Sequence, residues 1–124
     1  MKVVVSAQEP SLDAASSPVF GRCPAFVFVD TETWEAEGLA NPSVTAGGGA
    51  GIQAAQWVMS HGAEAVLSSN VGPNAFAVFQ QAGIPVYRLD GGTVREAVEA
   101  LRGKLLAAMD NPQIGPRPGR GHGG

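Results

Sequence analysis

The sequence predicts an α/β domain with a five-stranded mixed sheet, whose second strand is antiparallel, and with helices on both faces. Short runs of β-branched and aromatic residues alternate with segments whose apolar residues recur at helical spacing. The predicted order is β-β-β-α-β-α-β-α, a hairpin followed by βαβ units. With 124 residues, 44% of them hydrophobic, the chain can bury one core. We expect one domain over residues 1–110 and a flexible Gly/Pro/Arg tail over residues 111–124.

The first part of the chain contains three predicted strands. Residues 2–6 form a valine-rich strand, and residues 26–30 form a second one after a polar, serine-rich loop. In residues 35–40 two glutamates flank an alanine, which is typical of a strand with one solvated face. The turn at residues 30–34 joins the second and third strands. Its Trp34 either caps the hairpin or marks a dimer contact.

The second part alternates helices and strands. A loop of small residues at 47–51 leads into a helix over residues 52–61, where apolar residues recur at helical spacing. A short apolar strand over residues 65–68 precedes another small-residue loop and a helix over residues 73–82, with proline at its first position. The last strand covers residues 84–89.

Helix ends are marked by glycines and by a capping motif. Gly62 and Gly83 suit the left-handed conformation that ends many helices. Thr93 and Glu96 fit a capping box at the start of the final helix. Apolar residues along one face of that helix extend to Leu105.

Charge and composition argue against some functions. All 11 acidic residues lie at or before Asp110, whereas Arg117 and Arg120 lie in the tail, so the domain is an unfavourable surface for nucleic acid. No apolar run approaches the roughly 20 residues that span a bilayer, and the start of the chain lacks a signal peptide's apolar region. A single cysteine agrees with a reducing compartment. We therefore expect a cytoplasmic protein without membrane association.

The predicted topology brings several loops to one edge of the sheet. The loops after strands one, three, four and five emerge there, and the antiparallel second strand begins there. Ligands of open α/β sheets bind outside the carboxyl ends of the strands. The candidate ligand-binding residues at this edge are Phe20, Gly21, Arg22, Cys23, Gly48, Gly49, Gly51, Asn70 and Gly72.

These residue types suit a bulky anion. Helix amino termini present N–H groups and the positive end of a dipole, and glycine lets a large ligand approach the backbone. Arg22 adds a full positive charge. The alternative is that the glycines only form tight turns.

Two residues are candidate metal ligands. Cys23 is the only thiol, and the neighbouring Arg22 and the helix dipoles would favour its thiolate, which binds soft metals. The alternative is a small buried hydrophobic residue. One thiolate cannot hold a usual cysteine-bound cluster, so a second protein, a dimer or an exogenous ligand would have to complete the site. His122 in the tail either delivers a metal ligand or belongs to a solvated chain end.

Several stretches resemble the dinitrogenase iron–molybdenum cofactor biosynthesis family, which includes NifX-type proteins and the carboxy-terminal domain of NifB. They are residues 20–24, the helix start at residues 50–55, residues 70–75 and residues 82–87. The resemblance implies a three-layer α/β/α ribonuclease-H-like fold and transient binding of an iron–sulfur or iron–molybdenum-type cluster. Family members often carry histidine where this chain has Val19, which favours a cargo other than the nitrogenase cofactor.

The resemblance implies a stand-alone carrier without catalytic residues, with metallocluster assembly proteins as partners and a monomeric or weakly dimeric state. One alternative is binding of a small anion such as a nucleotide or phosphate, although the loop at residues 47–51 lacks the Gly-Lys-Ser/Thr ending of a P-loop. Another is a protein-interaction module without a metal. A two-metal nuclease is disfavoured because the first strand has no Asp or Glu.

Overall fold

A computed structural model describes residues 1–43 and 49–109 as a sheet flanked by helices. The five strands are β1 Lys2–Ala7, β2 Ala25–Asp30, β3 Ala36–Ala40, β4 Ala65–Ser68 and β5 Val86–Arg88. The three helices are α1 Ala50–Ser60, α2 Pro73–Ala82 and α3 Val94–Arg102. None of these helices has the length and apolar character needed to cross a bilayer, a finding limited to the described residues. The predicted α/β class and the element order are confirmed.

The strands form one mixed sheet in the order β3-β2-β1-β4-β5. β1, β4 and β5 pair in parallel, whereas β2 is antiparallel to both β1 and β3. As a result β1, β3, β4 and β5 all end at one edge of the sheet, where β2 begins. We call this the upper edge and the opposite one the lower edge. The helices α1 and α2 therefore begin at the upper edge.

The sheet separates two apolar cores. Alternation along β1 sends Val4 to one face and Val3 and Val5 to the other, and all three are fully buried. The first core includes Val4 and residues of α1 and α2, and the second includes Val3, Val5 and residues of α3. Burying a valine side chain stabilises a fold by about 1.5–3 kcal/mol, so β1 anchors both layers.

The capping box at the start of α3 is confirmed. The hydroxyl of Thr93 accepts a hydrogen bond from the N–H of Glu96 at 3.1 Å, and the Glu96 carboxylate accepts one from the N–H of Thr93 at 2.9 Å. The predicted end of this helix was wrong. α3 stops at Arg102, and Leu105, expected on its apolar face, is 79% exposed. The chain turns away because Gly103 ends the helix and Lys104 adopts a φ of 58°.

The chain after α3 returns to the sheet beside β5. The N–H of Arg88 donates to the carbonyl of Ala107 at 3.1 Å, and the N–H of Met109 donates to that of Val86 at 2.7 Å. This segment runs antiparallel to β5 and therefore towards the lower edge. It covers the outer edge of β5.

Trp34 lies in the hairpin turn between β2 and β3 and packs towards α3. Its backbone is left-handed, with a φ of 65°. The guanidinium of Arg95 lies 6.0 Å and that of Arg102 5.7 Å from the centroid of the Trp34 ring. Trp34 thus packs against α3 within one chain, and both a hairpin cap and a dimer contact stay predictions.

Candidate functional site

Three segments meet at the upper edge and enclose a cleft of about 290 Å³, which we call the upper cleft. They are the loop at residues 19–22, the start of α1 and the start of α2. The described residues that line the cleft are Val19, Phe20, Gly21, Arg22, Gly49, Ala50, Gly51, Ile52, Gly72, Pro73, Asn74 and Ala75. Six residues that the sequence predicts for the site thus come together: Phe20, Gly21, Arg22, Gly49, Gly51 and Gly72.

Small residues allow the three segments to pack this closely. A Cβ atom added to Gly21 would lie 3.0 Å from the Cα of Gly51 and 3.1 Å from its backbone nitrogen. A Cβ on Gly51 would lie 3.5 Å from the Cβ of Ala75 at the start of α2. Gly21, Gly51 and Ala75 therefore form a contact line across the base of the cleft. At Gly21 a larger residue would force two backbones apart.

The loop that precedes Gly21 is fixed to the end of β4 and to the core. The N–H of Phe20 donates to the carbonyl of Asn70 at 3.0 Å, and the N–H of Asn70 donates to that of Pro18 at 2.8 Å. The Phe20 ring is 1% exposed and lies 5.1 Å from the Phe26 ring and 5.3 Å from the Phe79 ring, centroid to centroid. Phe20 is thus an anchor in the core, and Asn70 holds the loop without lining the cleft.

The same loop is held from its other side by Asn41, a residue that the sequence analysis did not assign to the site. Its side-chain amide donates to the carbonyls of Gly21 at 3.2 Å and Cys23 at 2.9 Å. Its Oδ1 accepts hydrogen bonds from the N–H and the hydroxyl of Ser43, at 2.9 and 2.8 Å. The Asn41–Pro42 pair after a strand was a signal for this Asx turn. Asn41 is 3% exposed and ties the end of β3 to the cleft.

Two helix amino termini face the cleft without side-chain caps. Gly49 precedes α1 in a left-handed conformation with a φ of 82°, and Gly72 precedes α2 with an extended backbone. A Cβ atom on either glycine would meet nothing within 4 Å among the described atoms. Both glycines therefore border space that no described atom fills. The first-turn N–H groups and the helix dipoles make this space favourable for an anion.

Cys23 lies beneath the loop and does not line the cleft. It is fully buried, and its Sγ donates to the carbonyl of Phe20 at 3.1 Å. Burial raises the pKa of the Cys23 thiol to about 12. The expected thiolate is therefore wrong, because desolvation outweighs the hydrogen bonds that favour the charged form.

Arg22 supplies the one charged side chain among the described residues that line the cleft, and it is exposed. Within residues 1–43 and 49–109 there is no group of three or more His, Cys, Asp or Glu side chains that could hold a metal ion. Gly48 and His122, also predicted for the site, lie outside the described residues.

Comparisons with known proteins identify the family of the chain. Residues 1–104 match the family described as dinitrogenase iron-molybdenum cofactor. An uncharacterized protein of Methanocaldococcus jannaschii is 34% identical over 72% of this chain and 79% of its own length.

Two solved structures are similar over nearly their whole length. The apo form of the orange protein from Desulfovibrio gigas has a TM-score of 0.87 and 41% identity, over 91% of this chain and 96% of that one. A putative NifB protein from Thermotoga has a TM-score of 0.75 and 32% identity, over 95% and 98%. The family match covers well over half of the sequence. The chain therefore belongs to the dinitrogenase iron–molybdenum cofactor family.

Proposed function

We propose that this protein binds and carries an anionic iron–sulfur-type metal cluster, or a precursor of such a cofactor, during metallocluster assembly. The observation that carries the proposal is the upper cleft, where two uncapped helix amino termini and Arg22 border one space of about 290 Å³. The cluster is cargo, and the protein supplies binding and orientation without a catalytic residue of its own.

The scarcity of metal-binding side chains among the described residues favours a cluster that already carries all of its ligands. The described residues offer no group of three metal-binding side chains, and the only thiol is buried and protonated. A usual cysteine-bound cluster needs several thiolates. Backbone N–H groups and Arg22 instead suit the outer sulfur or oxygen atoms of a complete anionic cluster. In this arrangement Cys23 supports the loop. Metal ligation by Cys23, which the sequence predicts, becomes the alternative that the Cys23→Ala variant tests, and ligation by His122 stays a prediction.

The shape of the cleft supports this cargo. No described atom would meet a Cβ on Gly49 or Gly72 within 4 Å, so a bulky cluster can approach the backbone there. Val19, which is 44% exposed, and Ile52 add apolar surface beside Arg22. A sulfur-rich anion, large and weakly hydrated, suits both the apolar walls and the N–H donors.

The relatives point in the same direction. The family is described by the dinitrogenase iron–molybdenum cofactor, and one similar structure is a putative NifB protein. Another is the apo form of the orange protein. We infer assembly proteins as partners, a cytoplasmic location and a monomer or weak homodimer. The ribonuclease-H-like label for the fold also stays a prediction.

A second candidate is the binding of phosphate or a nucleotide at the same N–H donors. Helix amino termini bind phosphate in many proteins, and Arg22 would add charge. A thermal shift assay with ATP and with inorganic phosphate distinguishes the two functions. The cluster hypothesis predicts no increase in melting temperature with either compound.

The proposed function is tested by anaerobic addition of an iron–sulfur cofactor precursor, followed by gel filtration, iron analysis and visible absorption. The wild type is expected to retain iron and a coloured band. Arg22→Gln should retain markedly less, whereas Cys23→Ala should retain as much as the wild type. If the wild type retained no iron, the proposed function would be wrong. If only Cys23→Ala lost iron, the thiol of Cys23 would be a metal ligand.

A further inference from the structure

A second cleft, of about 460 Å³, opens at the lower edge on the face that α3 covers. We call it the lower cleft. The described residues that line it are Met1, Thr31, Tyr87, Leu101, Arg102, Lys104 and Leu106. It shares none of these residues with the upper cleft, so it is a separate site. Its volume falls within the roughly 300–1,000 Å³ of small-molecule sites.

The floor of the lower cleft is apolar. Tyr87, Leu101 and Leu106 are half-buried and pack against the second core. Met1, which is 41% exposed, lies at its margin, and Leu105, which is 79% exposed, lies between two lining residues in the chain. Apolar surface is thus exposed beside a cavity, where an apolar ligand can cover it.

The rim of the lower cleft is cationic although the chain carries a net charge of −3. Arg102 and Lys104 supply positive charge, and the described residues that line the cleft include no acidic side chain. On the opposite face of the same edge, another cleft is lined by three acidic residues, Asp30, Glu35 and Glu37, and by one cation, Lys2. Acidic side chains thus outnumber cations in that cleft, which favours an anion in the lower cleft over one across the sheet.

The side chain of Arg102 and the backbone of Lys104 are held in place. The guanidinium of Arg102 lies 5.7 Å from the centroid of the Trp34 ring, within the range of a cation–π contact. Lys104 has a left-handed backbone, and its N–H donates to the carbonyl of Leu101 at 3.0 Å. The contact with Trp34 reduces the entropy that the Arg102 side chain loses when the rim binds a ligand.

We propose that the lower cleft binds an anionic amphiphile of small-molecule size, a carboxylate with a short aliphatic body. The carboxylate lies at the rim between Arg102 and Lys104, and the body lies on Tyr87, Leu101 and Leu106. This site does not depend on the proposed cluster function.

The experiment titrates octanoate, and its neutral counterpart octanol, into ¹⁵N-labelled full-length protein below micellar concentrations. Saturable amide shifts are expected around Tyr87, Leu101 and Leu106, with an affinity for octanoate about five-fold or more above that for octanol. No saturable shift, equal affinity for the two compounds, or shifts confined to the upper cleft would overturn the proposal.

Two variants test whether the positive charge of Lys104 contributes to binding. Lys104→Asn removes the positive charge, and asparagine keeps the turn because it tolerates a left-handed backbone. This variant should lower the affinity for octanoate about three-fold or more without changing the affinity for octanol. Lys2→Gln removes an equal charge from the acidic cleft across the sheet and should leave octanoate affinity unchanged. An equal loss in both variants would indicate only an effect of net charge and contradict the site.

Discussion

At the scale of single residues, the upper cleft depends on the absence of side chains. Gly21 and Gly51 bring two backbones together, whereas a Cβ on Gly49 or Gly72 would meet no described atom within 4 Å. The sequence predicts that these glycines meet at one edge of the sheet. It does not predict which of them are needed for packing, because that depends on distances between segments far apart in the chain.

Replacing Gly21 by alanine should destabilise the protein, whereas replacing Gly72 by alanine should have little effect on stability. A Cβ on Gly21 would press on the backbone of Gly51 at 3.0 Å, so we expect Gly21→Ala to lower the free energy of unfolding by about 1–3 kcal/mol. A Cβ on Gly72 would meet nothing within 4 Å, so Gly72→Ala should change it by about 0.5 kcal/mol or less. Urea denaturation measures the free energy of unfolding of both variants. Equal losses would contradict the assigned packing.

Cys23 should make the protein less stable at high pH. Burial raises the pKa of its thiol from 9.0 to about 12, so the folded state holds a proton that the unfolded state releases. The stabilisation that the protonated thiol gives to the folded state is therefore complete below about pH 9 and declines as the pH rises towards about 12. Stability measured against pH should decline more steeply in this window for the wild type than for Cys23→Ala. Superimposable curves would show that the thiol is not desolvated.

The native thiol should also react slowly with iodoacetamide at pH 8. Reaction needs the thiolate and access, and Cys23 is 0% exposed and has a raised pKa. The rate should rise to that of a free thiol when urea unfolds the protein. Fast labelling of the native protein would show that Cys23 is accessible and would support metal ligation by its thiolate.

At the scale of elements, the end of β3 and the start of β2 are connected by one buried amide. Asn41 satisfies two carbonyls of the loop that carries Arg22 and orders Ser43 through its Oδ1. The sequence indicates that an Asn-Pro pair ends the strand. It does not show that the side chain reaches a loop about 20 positions earlier, since that contact requires the antiparallel pairing of β2 and β3.

Asn41→Ala should weaken both the fold and the site. It removes the donor to the carbonyls of Gly21 and Cys23, so the free energy of unfolding should fall by about 1–3 kcal/mol. The loss of iron binding should exceed what the unfolded fraction explains, because the loop loses its position. Asn70→Ala serves as the comparison, since the Asn70 amide bonds Pro18 at an exposed position. An equal stability loss in the two variants would contradict the role of Asn41.

At the scale of the whole molecule, strand order brings the site together. β2 is antiparallel to its neighbours, so the loop that precedes it meets the starts of α1 and α2 at the upper edge. Apolar periodicity and helix-capping residues were enough to predict the element order and the edge at which the loops meet. The course of the chain after Gly103 was not predictable in this way, because it depends on the left-handed turn at Lys104 and on backbone bonds to β5.

Cluster binding in the upper cleft is tested most directly by filling the cleft with a side chain and measuring how much iron the protein retains after anaerobic loading. Gly72→Val places a branched side chain where a Cβ meets no atom within 4 Å, and Ala77→Val adds similar bulk on an exposed position of the same helix. We predict that Gly72→Val remains folded and retains little iron, whereas Ala77→Val retains as much as the wild type. Full retention by a folded Gly72→Val protein would show that the cluster binds elsewhere.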